Sequence, residues 1–229
     1  MLPLKDTIPH KKYPVINISI IIINTLFFLY ELLLPEGKIE RFFFQYGVVP
    51  LFYAYPEVIA KIGWDNLSIS LLTSIFLHGG WLHFLGNMWF LWIFGDNVED
   101  FFGHLGYLLF YLLCGIIASV FHILLNLTST IPTIGASGAI AGVMGSYFLL
   151  YPRSRIITLI PFFVFWDIIE LPAFLFLGLW FIMQFFYGTI SIGSDAISIA
   201  FWAHIGGFIA GFIITKTRLK KYKKRYHSK

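Results

Sequence analysis

Residues 15–34 form an apolar run with no charge until Glu31, and comparable runs recur at 81–98, 104–126, 134–151, 172–188 and 197–215. Each is close to the roughly 20 residues with which a helix crosses the ~30 Å hydrocarbon core of a bilayer. In a chain of 229 residues, 58% hydrophobic, the 16 basic and 12 acidic side chains are too few to cover a water-soluble globule. A membrane β-barrel needs alternating segments of about ten residues, whereas these runs are longer and do not alternate. Ordinary Gly and Pro usage rules out disordered and collagen-like chains, and the single cysteine, Cys114, rules out a disulfide scaffold. The expected fold is an all-α polytopic membrane protein, a bundle of six transmembrane helices.

Positive charge sets the orientation. Lys5, Lys11 and Lys12 precede the first run, Arg153 and Arg155 follow the fourth, and eight of the 16 basic residues lie in 216–229. Six spans place all of them on one face, which the positive-inside rule makes cytoplasmic. The expected organisation is a cytoplasmic tail at 1–14, a membrane-embedded domain at 15–215 and a basic cytoplasmic tail at 216–229, in the cell membrane. The first run is too long for a signal-peptide core and has no small-residue cleavage site behind it, so it reads as a retained span. Within the domain, 35–66 is too polar to span and too aromatic to float free, and reads as a long loop on the outer face. Gly79-Gly80 breaks the apolar stretch ahead of the second span. The segment 156–166, short and interrupted by Pro161, reads as a surface piece, and Pro172 suits the first turn of the fifth span. The basic tail fits anionic lipid headgroups; without an accompanying basic surface it does not point to nucleic acid.

Polar groups inside spans are costly and mark candidate sites. His83 and Asn87 are four apart on one face of the second span. Ser137 stands near the start of the fourth, in Gly135-Ala136-Ser137-Gly138, and His204 is in the sixth, in Ala203-His204-Ile205-Gly206-Gly207. In this topology all three helices enter from the outer face, with His204 roughly 10 Å below it at ~1.5 Å per residue. Gly138-xxx-Gly142 and Gly207-xxx-Gly211 offer small faces on which the fourth and sixth helices approach closely. A serine hydroxyl within reach of an imidazole is the minimum for an activated nucleophile. The Asn87 amide, His83 and the Ser137 N–H are candidate donors to an oxyanion. Singly, each residue reads as a packing residue or an interfacial anchor, as His78 and His104 do here; His122 reads as structural. The coincidence of four such groups at one depth carries the catalytic reading. The histidines lack compact metal-ligand spacing and no phosphate-binding glycine motif occurs, so no metal, nucleotide or other cofactor is expected.

Three blocks resemble the rhomboid intramembrane serine proteases. The first runs from Phe76-Leu77-His78-Gly79-Gly80-Trp81-Leu82-His83 to Asn87, with Glu99 and Gly103 beyond it. The second is Gly135-Ala136-Ser137-Gly138-Ala139-Ile140-Ala141-Gly142, similar to the family's GxSG motif. The third is Ala203-His204-Ile205-Gly206-Gly207 continuing to Gly211. The resemblance implies a rhomboid-like six-helix bundle and a Ser–His dyad, with Ser137 as nucleophile and His204 as base and then acid. His83, Asn87, Gly135 and the Ser137 N–H would line the oxyanion and substrate positions. It also implies a water-filled cavity opening outward, and single-span membrane proteins as substrates. The fifth span would act as a lateral gate, Trp180 and Phe181 as gate aromatics, and loop 189–196 as a cap. Trp64-Asp65 stands where many members carry Trp-Arg, Gly86 where some have a bulky gate residue, and Ala141 where some have a Tyr stacked on the histidine. If His204 is oriented by stacking, another residue must supply it. The competing readings are a non-proteolytic rhomboid-like scaffold that binds membrane proteins, a haem-binding or proton-coupled protein using His83 and His204, and a transporter. The first typically lacks the serine or the histidine, the second has no need of Ser137 and Asn87, and the third commonly shows internal repeats, which are not evident here.

Overall fold

The computed structural model describes residues 1–162, 165–190 and 200–227. Strand β1 (Leu2–Asp6) leads to helices α1 (Val15–Leu32), α2 (Glu36–Tyr46), α3 (Pro56–Ile62), α4 (Trp64–Thr73), α5 (Trp81–Phe102), α6 (His104–Leu125) and α7 (Ser137–Leu150). Strands β2 (Arg155–Phe162) and β3 (Phe165–Pro172) separate α7 from α8 (Ala173–Ile190), and α9 (Phe201–His227) ends the described chain. The expected spans correspond to α1, α5, α6, α7, α8 and α9. By length and composition α1, α6 and α8 are each able to cross a bilayer, and α5 passes the same test with the segment Trp64–Phe76, bent 80° from it. The protein is a mostly helical, multi-pass membrane protein.

The polarity of α1 is inverted relative to a soluble helix. Asn17, Ile20, Asn24, Phe28 and Glu31, spaced three or four apart, form its buried face, while Ile22, Leu26 and Leu29 point outward. Lipid solvates the outer residues, and the inner polar groups are left to find partners in the protein. Asn17 Nδ2 donates to the Leu91 carbonyl at 3.1 Å, and its Oδ1 accepts from the Tyr107 hydroxyl at 2.8 Å. Both oxygens of Glu31 accept the His78 N–H at 3.2 Å. Glu99 of α5 accepts the N–H groups of Ile16 and Asn17 at 3.0 and 2.8 Å, satisfying first-turn donors of α1 that have no intrahelical partner. At the same end of α5, Arg218 of α9 donates to the carbonyl of Phe102, the last residue of α5, at 3.0 Å.

Helices α7 and α9 make the closest contact. A Cβ on Gly207 would overlap the Gly138 carbonyl oxygen, one on Gly211 would overlap that of Gly142, and one on Gly145 would overlap that of Phe208. The two small-residue faces therefore meet backbone to backbone, as their spacing predicts. Deeper in the same contact, Thr215 Oγ1 donates to Ser146 Oγ at 2.8 Å.

The sheet departs from the expected all-helical chain. Residues 156–166 do not lie alone on a surface. Arg155–Phe162 pairs antiparallel with Phe165–Pro172, with Arg155 opposite Pro172 and Leu159 opposite Ile168. The N-terminal segment, expected as a tail, adds β1 to the other edge of β2, giving the order β1-β2-β3. A β-branched stretch too short to span closes its backbone hydrogen bonds with neighbouring strands instead. Asp6 ties this sheet to the bundle: its Oδ2 accepts from the Tyr147 hydroxyl of α7 at 2.5 Å and from Asn97 Nδ2 of α5 at 3.2 Å. Trp89 Nε1 donates to the Pro3 carbonyl at 2.6 Å. Because Pro172 belongs to β3, α8 begins at Ala173 rather than at the proline. The loop expected at 35–66 is built of the short helices α2 and α3 with a 3-10 turn at Pro50–Tyr53, and α4 begins within it at Trp64. The basic tail continues α9 as helix as far as His227.

Candidate active site

Chain geometry places the nucleophile at a helix end. Val48 and Thr133 exchange both backbone hydrogen bonds, and the Gly135 N–H donates to the Ser74 carbonyl at 2.8 Å. These bonds hold 133–135 outside the helix, so α7 starts at Ser137 and not at 134. The Ser137 N–H consequently belongs to a first turn, whose donors have no intrahelical acceptor. His204 lies in the first turn of α9. Because Gly138 and Gly207 bring the backbones together just below, Ser137 Oγ and His204 Nε2 come within 2.8 Å. Both residues are half-buried.

A cavity of about 910 Å³ opens over this pair, with His83, Gly86, Asn87 and Phe90 of α5 among the residues lining it. Opposite α5 the wall includes Trp180 of α8, and the extended segment 130–134 forms another side. His83 occupies the first turn of α5 and Asn87 the next. Asn87 is buried, and its Nδ2 has no hydrogen-bond partner among the described residues. A donor so placed at the cavity wall is available to a ligand. Gly135 supplies room and not a hydrogen bond, since its N–H is taken by Ser74. At φ +124° it occupies backbone space unfavourable to other residues, and a Cβ there would stand 2.5 Å from His83 Nε2. The structure thus brings all five expected site residues, Ser137, His204, His83, Asn87 and Gly135, to one place. Their arrangement combines a base, a hydroxyl and free donors, which is what acyl transfer requires.

Other expectations shift. His78 is not interfacial; it is 1% exposed, with its ring against Phe28, Phe84 and His83. Its backbone N–H donates to the buried Glu31 of α1, which holds the residue in the bundle interior. His104 is partly exposed, and its Nδ1 meets Glu99 at 2.5 Å. His122 is buried in α6 beside the amide of Asn126, 3.3 Å away. Trp180 lines the cavity and lies 5.8 Å from the His204 ring at a 36° tilt, whereas Phe181 packs on Phe208 at 4.8 Å. Gly86 leaves open space, with nothing within 4 Å of where its Cβ would be. The expected cap falls outside the described residues from 191 on. Among the described residues no three His, Cys, Asp or Glu side chains gather as a metal site.

The residue that sequence reasoning missed is Gln184. Its Oε1 lies 2.7 Å from His204 Nδ1. The signal was present, because Gln184 is an amide in the apolar helix AFLFLGLWFIMQFFYGTI. The criterion that singled out Ser137 applies to it equally.

Residues 66–221 match the Rhomboid domain family. The chain is 30% identical over 166 residues to the putative rhomboid protease YdcA of Bacillus subtilis, covering 68% of this chain and 70% of that protein. It is 40% identical over 95 residues to the rhomboid protease GluP of the same bacterium, covering 42% and 17% respectively. It is 32% identical over 158 residues to the mitochondrial RHOMBOID-like protein 6 of Arabidopsis thaliana, covering 67% of this chain and 45% of that protein. The chain spans less than half the length of the last two.

Proposed function

The chain belongs to the rhomboid family, and from that premise we propose that it is an intramembrane serine endopeptidase working through Ser137 and His204. The observation that carries this reading is the 2.8 Å approach of Ser137 Oγ to His204 Nε2 at the wall of a cavity. His204 Nε2 takes the hydroxyl proton as Oγ attacks the scissile carbonyl, forming the C–O bond and a tetrahedral oxyanion. The Ser137 N–H and Asn87 Nδ2 stabilise that charge, with His83 beside them. The C–N bond then breaks, and His204 returns its proton to the leaving amine. A water, deprotonated by the same nitrogen, attacks the acyl-enzyme, and the serine is released by the reverse sequence. The dyad lacks the aspartate of a soluble triad.

The surroundings of the pair support a substrate class. Only an unwound segment presents a carbonyl to Ser137, since a regular helix has every carbonyl engaged. Single-span membrane proteins whose helix yields near the outer surface are the substrates that fit, entering between α5 and α8 where Gly86 and Trp180 line the cavity. The orientation that completes this reading has both termini in the cytoplasm of a cell membrane, with the basic end of α9 against lipid headgroups.

The deciding experiment is cleavage of a single-span substrate by purified protein in liposomes, wild type beside Ser137→Ala and His204→Ala. Cleavage by the wild type alone is the expected result. Retained cleavage in either variant overturns the dyad.

A further inference from the structure

We propose that Gln184 positions His204, holding the imidazole in the one tautomer that leaves Nε2 free to take the serine proton. The inference rests on the dyad reading above. A neutral imidazole carries a single N–H, and it serves as base toward Ser137 only if that proton is on Nδ1. In the interior of a helical bundle, an Nδ1–H without an acceptor is costly. Gln184 Oε1, 2.7 Å from Nδ1, is that acceptor.

The aromatic neighbours do not do the same job. Trp180 lies 5.8 Å from the ring at a 36° tilt, and Phe201 meets it edge-on at 6.5 Å. Packing on a ring fixes its plane, but it does not distinguish the ring from its flipped orientation, which exchanges nitrogen for carbon at each edge. A hydrogen bond to Nδ1 does. Soluble triads use a buried carboxylate for this purpose. Here a neutral amide carbonyl fixes tautomer and rotation without burying an anion, and its dipole faces the imidazolium formed during attack.

The bond also joins the base to a peripheral helix. Ile182, Met183, Phe185 and Phe186 on α8 are exposed, and Phe181 docks the helix on Phe208 of α9 at 4.8 Å. Displacing α8 from α9 by an ångström or so would break the Gln184–His204 bond. The orientation that Gln184 gives His204 is therefore tied to the docking of α8.

The test compares wild type, Gln184→Leu and Gln184→Glu, with Ser137→Ala as blank. It reads the rate at which a fluorophosphonate labels Ser137 across pH, and the 15N spectrum of His204 in histidine-labelled protein. The other titratable groups close to His204 are His83 on α5 and His122 on α6, and both stay unchanged in the series. Gln184→Leu is expected to label about 10- to 100-fold more slowly, the range for losing a hydrogen bond to a charged group, and to lose the pure Nδ1–H tautomer. Gln184→Glu is expected to label within about tenfold of wild type. Its acid limb moves to higher pH, because an anion favours the imidazolium.

Wild-type labelling with an unchanged tautomer in Gln184→Leu overturns the proposal. So does slow labelling with the tautomer unchanged, which marks a packing role. A Gln184→Glu profile that matches Gln184→Leu in rate and wild type in acid limb overturns it as well. If the wild type fails to label at Ser137, the dyad reading falls, while the tautomer comparison still decides Gln184.

Discussion

Replacing Gly207 by alanine tests whether the α7–α9 contact sets the dyad distance. A Cβ at Gly207 would overlap the Gly138 carbonyl oxygen and stand 3.0 Å from the carbonyl carbon and 3.4 Å from Ala118 Cβ. The obstacle is backbone, so no rotamer change relieves it. Restoring ordinary contact requires the Gly138 carbonyl to retreat by roughly 1.4 Å. Gly138 directly follows Ser137, and Gly207 lies about one turn beyond His204, so the displacement falls on the 2.8 Å Ser137–His204 bond. Lengthened by about 1 Å it exceeds hydrogen-bond range. Overpacking costs about 1–3 kcal/mol of stability, and a misplacement of this size in a reacting pair costs about 100-fold in rate. The assay is fluorophosphonate labelling of Ser137 and substrate cleavage in liposomes, beside a thermal melt. Gly106→Ala is the control, because a Cβ there has nothing nearer than Phe102 Cβ at 3.6 Å and should leave both readouts unchanged. Wild-type labelling in Gly207→Ala would refute the claim that this contact sets the dyad.

Asn87→Ala should lower kcat by about 10- to 1000-fold, as for loss of one oxyanion donor, with an unchanged melt; full activity would remove Asn87 from the oxyanion site. Glu99→Ala should destabilise the protein by about 1–3 kcal/mol, since it strips the acceptor from two first-turn donors of α1; an unchanged unfolding curve would count against that account. Burial raises the Asp6 carboxyl from 3.8 to about 6 in the folded protein, against the hydrogen bond from Tyr147, which lowers it. A group so raised contributes stability below the unfolded value and loses it as pH rises through the folded one. Amide exchange across Leu2–Asp6, corrected for intrinsic rates, should therefore quicken between pH 4 and 7, and Asp6→Asn should flatten that slope. A slope of the opposite sign would contradict the burial argument.

The helices were legible because lipid imposes one rule on every span, and runs of apolar residues record it directly. The approach of Ser137 to His204 was legible because Gly138, Gly142, Gly207 and Gly211 declare which helices meet, and a hydroxyl and an imidazole adjoin that seam. The sheet was not legible. Ile156, Ile157 and Thr158 favour a strand, but their partners include residues 2–6, some 150 positions earlier in the chain, and local pattern carries no information about so remote a pairing. The start of α7 was misplaced for a related reason. Residues 134–136 continue the apolar run, and what keeps them out of the helix is the bonding of Thr133 to Val48 and of Gly135 to Ser74.

Gln184 shows what the rule about polar groups in spans leaves undecided. That rule applies as well to Asn17 and Glu99 as to Asn87, yet these residues do different work. Both ends of the Asn17 amide are taken, by Leu91 and Tyr107, and the carboxylate oxygens of Glu99 are taken by the start of α1 and by His104. Such groups are closed within the protein and fix helices against one another. Among the described residues Asn87 Nδ2 is unpaired, and it belongs to a residue lining the cavity over Ser137. The ring nitrogens of His78 are also unpaired among the described residues, but His78 does not line that cavity, so an unspent hydrogen-bonding group alone is not a site. What separates a structural polar residue from a chemical one in this bundle is the conjunction of an unspent hydrogen bond and access to a ligand. A sequence records the residue type and its helix, and neither of those two conditions. Gln184 belongs to a third kind: its bond is spent, but on the base itself, so its effect passes through His204 to the reaction without its touching the substrate.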